Sequence, residues 1–341
     1  YSCHSRVGSK FNTTLSHWQK STSKHNGKLW SLDIWARRGV YSVMFLNPGA
    51  HVHFIAACGT AMASLAVMMK QRGFRITGSD THVYPPMSLY LRDQDIEIEE
   101  GFCGSRLSPP PDLVVVGNAV SRGNPEVEAT LSARLPYMSL PEAVREFFLR
   151  EKRPIVVTGT HGKTTTTALI AHILTSSGCD PSFLIAGLPR DDQPCRLGSG
   201  DYFVIEGDEY DSAFFAKFPK FFFYMPAILV LTSIEFDHAD IYDDLAQIEK
   251  LFAQLINTVP QNGLLLARDD DSRVKRLTES SFAPVQSFGL GPDAYWRAVD
   301  LTPRPESTSF TIVRAGVSCG RFELPLNGTF NINNALAAVA T

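Results

Sequence analysis

The sequence predicts an α/β fold with mostly parallel sheets, divided into two domains. Three observations predict it. Short apolar runs of strand length (Val52 to Ala57, Leu113 to Val116, Ile155 to Val157, Tyr202 to Ile205, Ala227 to Thr232) are separated by stretches with helical spacing. That alternation is the pattern of βαβ units. Two of the runs lead through a glycine-bearing turn directly into a helix pattern, at Cys58-Gly59-Thr60 and at Gly159 to Gly162. The 341 residues suffice for two domains or slightly more, and 44% apolar with 20% charged residues is ordinary for globular protein.

The first βαβ unit is of Rossmann type. Its strand, Val52 to Ala57, turns at Cys58-Gly59-Thr60 into a helix over 61–71 with Leu65, Met68 and Met69 on its buried face; Gly73 ends it and Phe74 to Thr77 returns as a strand. Asp80 follows the turn by about 20 residues, where such folds place a ribose-binding acid; a strand-end turn residue is the equal alternative. The glycine fingerprint is reduced to one residue, Gly59. Leu113 to Val116 runs into Gly117-Asn118-Ala119-Val120, and Asn124-Pro125-Glu126 opens a helix. Asn118 and Asn124 read either as cleft residues or as turn and cap residues. Ser139-Leu140-Pro141-Glu142 caps a helix to Arg150, and Glu151 to Pro154 marks the domain boundary.

The second unit carries the sharper signal. Strand Ile155 to Val157, a turn with Gly159 and Gly162, Lys163-Thr164, and a helix over 165–175 with the stripe Leu169, Ile170, Ile173 and Leu174 together form a phosphate-binding loop (P-loop). Lys163 would reach the β/γ-phosphates and the Thr164 hydroxyl would ligate Mg²⁺. Only two residues separate the glycines, against four in the usual pattern, and an exposed turn is the bland alternative. Glu206, Asp208, Glu209 and Asp211 follow the strand ending at Ile205, while Asp237, His238 and Asp240 follow the next one. Parallel sheets bind ligands beyond the carboxyl ends of their strands, so these clusters are expected to meet the loop in one crevice. Mg²⁺ takes one or two carboxylates besides phosphate oxygens, a role for Thr164 and Glu206; His238 is an unusual partner on hardness grounds. Glu209 reads equally well as part of a solvated loop. The aromatic run from Phe214 to Tyr224 reads as core. A helix over 244–255, a strand over 263–267 and short strands over 307–326 complete the pattern.

The net charge of −3 excludes a strongly basic nucleic-acid surface, and no apolar run approaches the roughly 20 residues of a membrane span. Six scattered cysteines without a CxxC pair fit reduced thiols in a cytoplasmic protein. Residues 1–43, polar and without a secretory signal pattern, read as a disordered or non-native leader, with Met44 near the native start.

The contracted loop Thr-Gly-Thr-His-Gly-Lys-Thr-Thr (158–165) resembles the ATP site of the Mur ligases, which build or recycle peptidoglycan precursors. So do the runs 51–66, Thr-Gly-Ser-Asp (77–80), Val-Tyr-Pro-Pro-Met-Ser (83–88) and Asn-Pro-Glu (124–126). The resemblance covers 44–341. It implies a Rossmann-like UDP-sugar-binding domain at 44–150 and a central ATP-binding domain at 151–341. In the first, Cys58, Gly59, Thr60, Ala61, Met62, Asp80 and Asn118 would hold the UDP-sugar. In the second, Gly159, Thr160, His161, Gly162, Lys163, Thr164 and Thr165 would hold ATP. Asn331 and Asn334, from the adenine-contacting motif Asn327-Gly328-Thr-Phe-Asn-Ile-Asn-Asn334, would join them; a helix N-cap is the other reading of Asn331. Thr164, Glu206 and His238 are the implied metal ligands, and Lys163, Glu206 and His238 the implied catalytic set. Ala56, Ala63 and Ser64 replace family glycines, and Phe330 replaces a histidine.

Glu-Gly-Asp-Glu-Tyr-Asp (206–211), Phe-Phe-Ala-Lys (214–217) and Glu-Phe-Asp-His-Ala-Asp-Ile-Tyr (235–242) resemble the tripeptide-ligating branch; the L-alanine-adding branch usually has Ser at the position of Tyr210. The implied reaction is ATP- and Mg²⁺-dependent ligation of UDP-N-acetylmuramate to L-Ala-γ-D-Glu-meso-diaminopimelate through an acyl phosphate, with no nucleic-acid or membrane partner. The family also has a C-terminal Rossmann-like domain, absent from this chain, so the chain alone is expected to bind both nucleotides and ligate poorly. Three alternatives remain open: an L-alanine-adding ligase, an NAD-dependent oxidoreductase using the 52–80 unit, and a non-catalytic nucleotide-binding module.

Overall fold

The computed structural model describes residues 46–187, 193–235 and 244–341; His238 with its neighbours Asp237 and Asp240, and the leader 1–43, lie outside them. The described residues belong to one compact unit.

Two sheets organise that unit. The first has five parallel strands: β1 (His51–Ile55), β2 (Arg75–Asp80), β3 (Ile98–Glu100), β4 (Leu113–Val116) and β5 (Tyr137–Ser139), in the order β3-β2-β1-β4-β5. Helices α1 (Thr60–Gln71), α2 (Met87–Asp93), α3 (Pro125–Ser132) and α4 (Leu140–Val144) cover it, and α4 continues as a π-turn through Leu149. The strand order reverses between β1 and β4, so the chain diverges beyond Ile55 and Val116 and leaves a crevice there. α1 is buried from Met62 to Met69, beyond the expected Leu65, Met68 and Met69. Its outer side is covered by the second sheet, where Cys195 Sγ donates to the Ser64 carbonyl at 3.4 Å.

The second sheet has ten strands: β6 (Arg153–Thr158), β7 (Ser182–Leu184), β8 (Cys195–Arg196), β9 (Tyr202–Gly207), then, after a separate hairpin of β10 (Asp211–Ala213) and β11 (Ala216–Pro219), β12 (Ile228–Leu231), β13 (Leu264–Arg268), β14 (Val285–Gly289), β15 (Trp296–Pro303), β16 (Thr308–Arg314) and β17 (Val317–Leu324). Their order is β17-β16-β15-β14-β13-β12-β6-β9-β7-β8, parallel from β15 to β7 and antiparallel at β16, β17 and β8. The central strands are near-continuous Ile, Val and Leu because both faces are covered. The helices are α5 (Lys163–Ser176), α6 (Leu245–Ile256), α7 (Ser272–Thr278) and α8 (Thr329–Ala340). Asp244 caps α6 and Asp271 caps α7 through their carboxylates.

Three local expectations shift. The fully buried face of α5 is Thr166, Thr167, Ile170 and Ala171, while Leu169, Ile173 and Leu174 pack only at its margin, because α8 and the sheet meet the helix one step around its circumference. Gly328, not Asn331, is the N-cap of α8. The aromatic run divides: Phe221, Phe223 and Tyr224 are core, Phe218 is exposed, and Phe214 and Phe215 form a hairpin tip. Phe221 lies under β9 with its ring 5.7 Å from that of Phe252, so Phe221→Ala should destabilise the fold by about 3–5 kcal/mol, read from denaturant unfolding.

Candidate functional site

The crevice between β1 and β4 is a cleft of about 900 Å³. Cys58, Gly59, Thr60, Met62, Asp80 and Asn118 line it; Ala61 does not. α1 starts at Thr60 with Gly59 as its N-cap, which leaves the first-turn amides of a twelve-residue helix turned to the cleft end. Asp80 has both readings at once. It lines the cleft, and it also ties the turn: Oδ2 accepts from the Cys58 amide at 2.8 Å and Oδ1 from the His82 amide at 3.0 Å. Burial and the Asp80 charge push the Cys58 thiol up to about 11, so it stays protonated at neutral pH. Asn124 is the N-cap of α3, accepting from the amides of Glu126 and Val127, and it reaches the cleft rim as well.

Of the three replaced glycines, only Ala56 faces this cleft, held at φ +62°; Ala63 and Ser64 are buried within α1 and do not line it. Sequence inspection missed two contributors. Arg122 lines the cleft and forms a two-pronged pair with Glu128 at 2.9 and 3.1 Å. Glu126 is fully buried beneath it, accepting from His53 at 3.3 Å, the Cys103 amide at 3.0 Å and the Ser79 hydroxyl, and so anchors the start of α3 to β1 and β2.

The second crevice forms beyond β6, β9 and β12. Gly159 and Gly162 stand at φ +120° and +84°, the region that favours glycine. A Cβ at Gly159 would strike Thr232 Oγ1 and lie 2.7 Å from the Ser233 carbonyl; one at Gly162 would strike Asn334 Oδ1. The turn is pinned to the strand beside it. The Thr160 and His161 amides donate to Ser233 O at 2.9 Å and Ser233 Oγ at 3.3 Å, and the Glu235 amide donates to Thr160 Oγ1 at 2.8 Å. The first helical bond of α5 runs from Thr166 N to Gly162 O, so the amides of Lys163, Thr164 and Thr165 precede it at the positive end of a fourteen-residue helix. Asn334 sits buried against Gly162, whereas Asn331 is half-buried and donates to Asn327 O at 2.8 Å. Phe330 is 63% exposed.

The acids sort by partner. Glu206, 5% exposed, accepts from the Thr164 hydroxyl at 2.9 Å and the Ala186 amide at 2.7 Å. Burial holds its carboxyl above the ordinary range, and those two donors oppose the shift. Lys163 donates to Gly159 O at 2.8 Å and to both oxygens of Glu209 at 2.9 and 3.2 Å. Lys220 pairs with Asp208 at 3.1 Å. The sequence shows four clustered carboxylates, but not which of them meets Lys163; it is Glu209, whose other reading was a solvated loop. His238 lies outside the described residues, and among the described residues no group of three or more potential ligands is gathered as a metal cage.

Removing one partner of a buried ion pair strands the other charge. Lys163→Met should therefore cost about 3 kcal/mol in thermal or denaturant unfolding, and Glu209→Gln in the same chain should recover most of it. Gly162→Ala should lower stability by about 1–3 kcal/mol through the left-handed backbone and the Asn334 collision, whereas Gly123→Ala, at φ +91° but in open space, should cost only the backbone part.

Comparison with known proteins follows the same division. Residues 51–152 match the model of the Mur ligase family catalytic domain, and residues 157–341 that of the Mur ligase middle domain. The UDP-N-acetylmuramate–L-alanyl-γ-D-glutamyl-meso-2,6-diaminoheptandioate ligase of Escherichia coli (strain K12) is 42% identical over 290 residues, covering 85% of this chain and 63% of that protein. The UDP-N-acetylmuramate–L-alanine ligase of Burkholderia multivorans is 34% identical over 300 residues, covering 85% and 61%. Among solved structures, the UDP-N-acetylmuramate:L-alanyl-γ-D-glutamyl-meso-diaminopimelate ligase from Neisseria meningitides superposes with a TM-score of 0.80 at 38% identity, covering 86% of this chain and 92% of that one. The chain thus spans just under two thirds of the length of the curated relatives it matches. With residues 51–152 and 157–341 matched in order to these two models, the chain belongs to the Mur ligase family.

Proposed function

We propose that the protein is an ATP-dependent ligase that joins the lactyl carboxylate of UDP-N-acetylmuramate to the amine of L-Ala-γ-D-Glu-meso-diaminopimelate. The observation that carries this reading is the joining of Lys163, Thr164 and Glu206 at one helix start, with a separate cleft at the β1/β4 reversal. A hydride-transfer enzyme using the 52–80 unit has no use for the second crevice. The sugar nucleotide belongs in the first cleft, on the start of α1 with Cys58, Gly59, Thr60, Met62, Asp80 and Asn118, and without Ala61. ATP belongs on the loop 159–165, with Asn334 supporting Gly162 and Asn331 at the adenine end.

Two steps follow from this placement. A carboxylate oxygen of the sugar attacks the γ-phosphorus; the bond to the ADP oxygen breaks and an acyl phosphate forms. Lys163 and the first amides of α5 meet the charge that develops on the equatorial oxygens, mainly by position and electrostatics. The amine nitrogen then attacks the acyl carbon, phosphate leaves, and a proton is lost from nitrogen. The donor set fits Mg²⁺: a hydroxyl and a carboxylate, both hard oxygens, with Glu206 held by neutral donors while its neighbouring acids are matched to lysines. Thr164 and Glu206 would hold the ion, with His238 as a further candidate, and the bound ion would neutralise phosphate charge.

The tripeptide is preferred to L-alanine because Tyr210 stands where the L-alanine-adding branch usually has Ser, and because relatives named for the tripeptide reach 41–42% identity against 34–35% for those named for L-alanine. A titration followed by thermal unfolding tests the nucleotide sites. Each true ligand at about 100 times its dissociation constant should add about 2.7 kcal/mol. UDP-N-acetylmuramate and Mg-ATP should both stabilise and NAD should not; stabilisation by NAD alone would overturn the reading. In the full-length protein, ADP release should depend on the tripeptide, with L-alanine at least tenfold poorer in kcat/KM. The reverse order would assign the L-alanine-adding activity instead, and no turnover alongside intact binding would assign a non-catalytic nucleotide-binding module.

A further inference from the structure

We propose that the β10–β11 hairpin is a strut that sets the distance between the two crevices, with Phe215 and Lys220 as positioning residues for phosphoryl transfer. The inference rests on the ligase reading for its kinetic consequence, though not for its mechanics.

The geometry begins at the acid cluster. β9 ends at Gly207, and Asp208, Glu209 and Tyr210 lead straight into β10. Lys220, on the short helix that follows β11, fixes the base: its Nζ lies 3.1 Å from Asp208 Oδ2 and 4.4 Å from the centre of the Tyr210 ring, and Lys220 and Asp208 are both buried. Across the hairpin, Lys217 pairs with Asp211 at 2.8 Å and the Ser212 hydroxyl donates to Phe218 O at 3.0 Å. Those ties stiffen the two short strands.

The tip then leaves its own sheet. Phe214 and Phe215, the two residues of the turn, pack edge to face at 5.0 Å, and Phe215 meets Tyr137 of β5 edge to face at 4.9 Å. Both phenylalanines join the apolar cluster under the first sheet that contains Ile55, Val116 and Val120, with Ala56 and Phe102 at its margin. Ala56, Phe102 and Val120 are also walls of the first cleft. One hairpin therefore has its base at the carboxylates beside Lys163 and its foot on the back of the sugar-nucleotide cleft. Cys195, which bonds the Ser64 carbonyl and the Tyr90 hydroxyl, also ties the two halves together, and none of these three residues lines the first cleft.

The chemistry makes such a spacer matter. Attack on the γ-phosphorus needs the carboxylate oxygen within about 3–3.5 Å and in line, and a misplacement of about 1 Å costs on the order of a hundredfold in rate. The two reactants are held by different sheets, so an element that joins the sheets and abuts both crevices bears directly on their separation.

The test compares wild type, Phe215→Ala, Phe215→Leu and Lys220→Met in the full-length protein. Calorimetry with UDP-N-acetylmuramate and with Mg-ATP singly should give dissociation constants within about twofold of wild type for Phe215→Ala. Its kcat should fall tenfold or more with KM values little changed, and Phe215→Leu should recover most of it. Hydrogen exchange should show Phe215→Ala loosening the amides of residues 208–211, at the opposite end of the hairpin, with β1 and β6 unaffected; Lys220→Met should loosen the tip. Should Phe215→Ala fail to fold, Tyr137→Leu removes the same contact from a partly exposed position. Unchanged kcat and unchanged exchange at 208–211 would overturn the strut, as would a fall in kcat matched by lost nucleotide binding. A wild-type full-length protein that binds both nucleotides without turnover would overturn the ligase reading alone; exchange at 208–211 then decides the strut.

Discussion

The left-handed backbone at Gly159 and Gly162 is the constraint on which the second crevice depends. Two residues separate these glycines, so the turn from β6 into α5 is tight, and it closes against Thr232, Ser233 and Asn334 with no room for a methyl group. That closeness has two effects. It locks the turn to the end of β12 through backbone bonds, and it aims the positive end of α5 into the space beyond three strand ends. Lys163 and Thr164 follow directly from this, since they are the first two residues of the helix.

Charge is arranged around that helix start by pairing rather than by number. Asp208 and Glu209 each have a lysine, and the third acid, Glu206, is held by a hydroxyl and an amide. A buried carboxylate with neutral donors keeps an incentive to take up positive charge, and its raised carboxyl pKa expresses the same cost of burial. The pairing also gives Lys163 a fixed place in the structure itself. In the proposed reaction phosphate oxygens would meet a cation already oriented by Gly159 and Glu209, which would leave little ordering to be done on binding.

The first cleft is built differently. Its floor is a helix start without a glycine-rich turn, and Ala56 accepts a positive φ that a glycine would adopt freely. Asp80 compensates by tying the Cys58 amide, and buried Glu126 tethers the loop above it to the sheet. Both features rigidify a site whose backbone fingerprint is poor. Family membership sets the context for both crevices, and the hairpin between them is where their geometries become one problem.

Much of the fold was legible in the sequence because parallel strands buried on both faces must be nearly all apolar, and their ends are marked by glycine and acid. Leu113 to Val116, Ile155 to Val157 and Tyr202 to Ile205 fall within observed strands, and Lys163, Thr164 and Glu206 meet as their positions at strand and helix ends require. The short β7, β8, β10 and β11 left no mark, since two to four residues carry no periodicity. Local order could place Glu206, Asp208 and Glu209 at one strand end. It could not choose which of them meets Lys163, because that choice depends on side-chain reach across two strands. Nor could it tell that Phe214 and Phe215 belong to the other sheet's core while Phe221 belongs to their own, since burial is a property of what the rest of the chain brings alongside. The sequence by itself determined the longer buried strands, the turns that end them and the residue types at their ends, which are local consequences of periodicity and backbone freedom. Only the tertiary structure decided the pairings of charge and the contact between the two sheets, because those depend on distances between residues far apart in the chain.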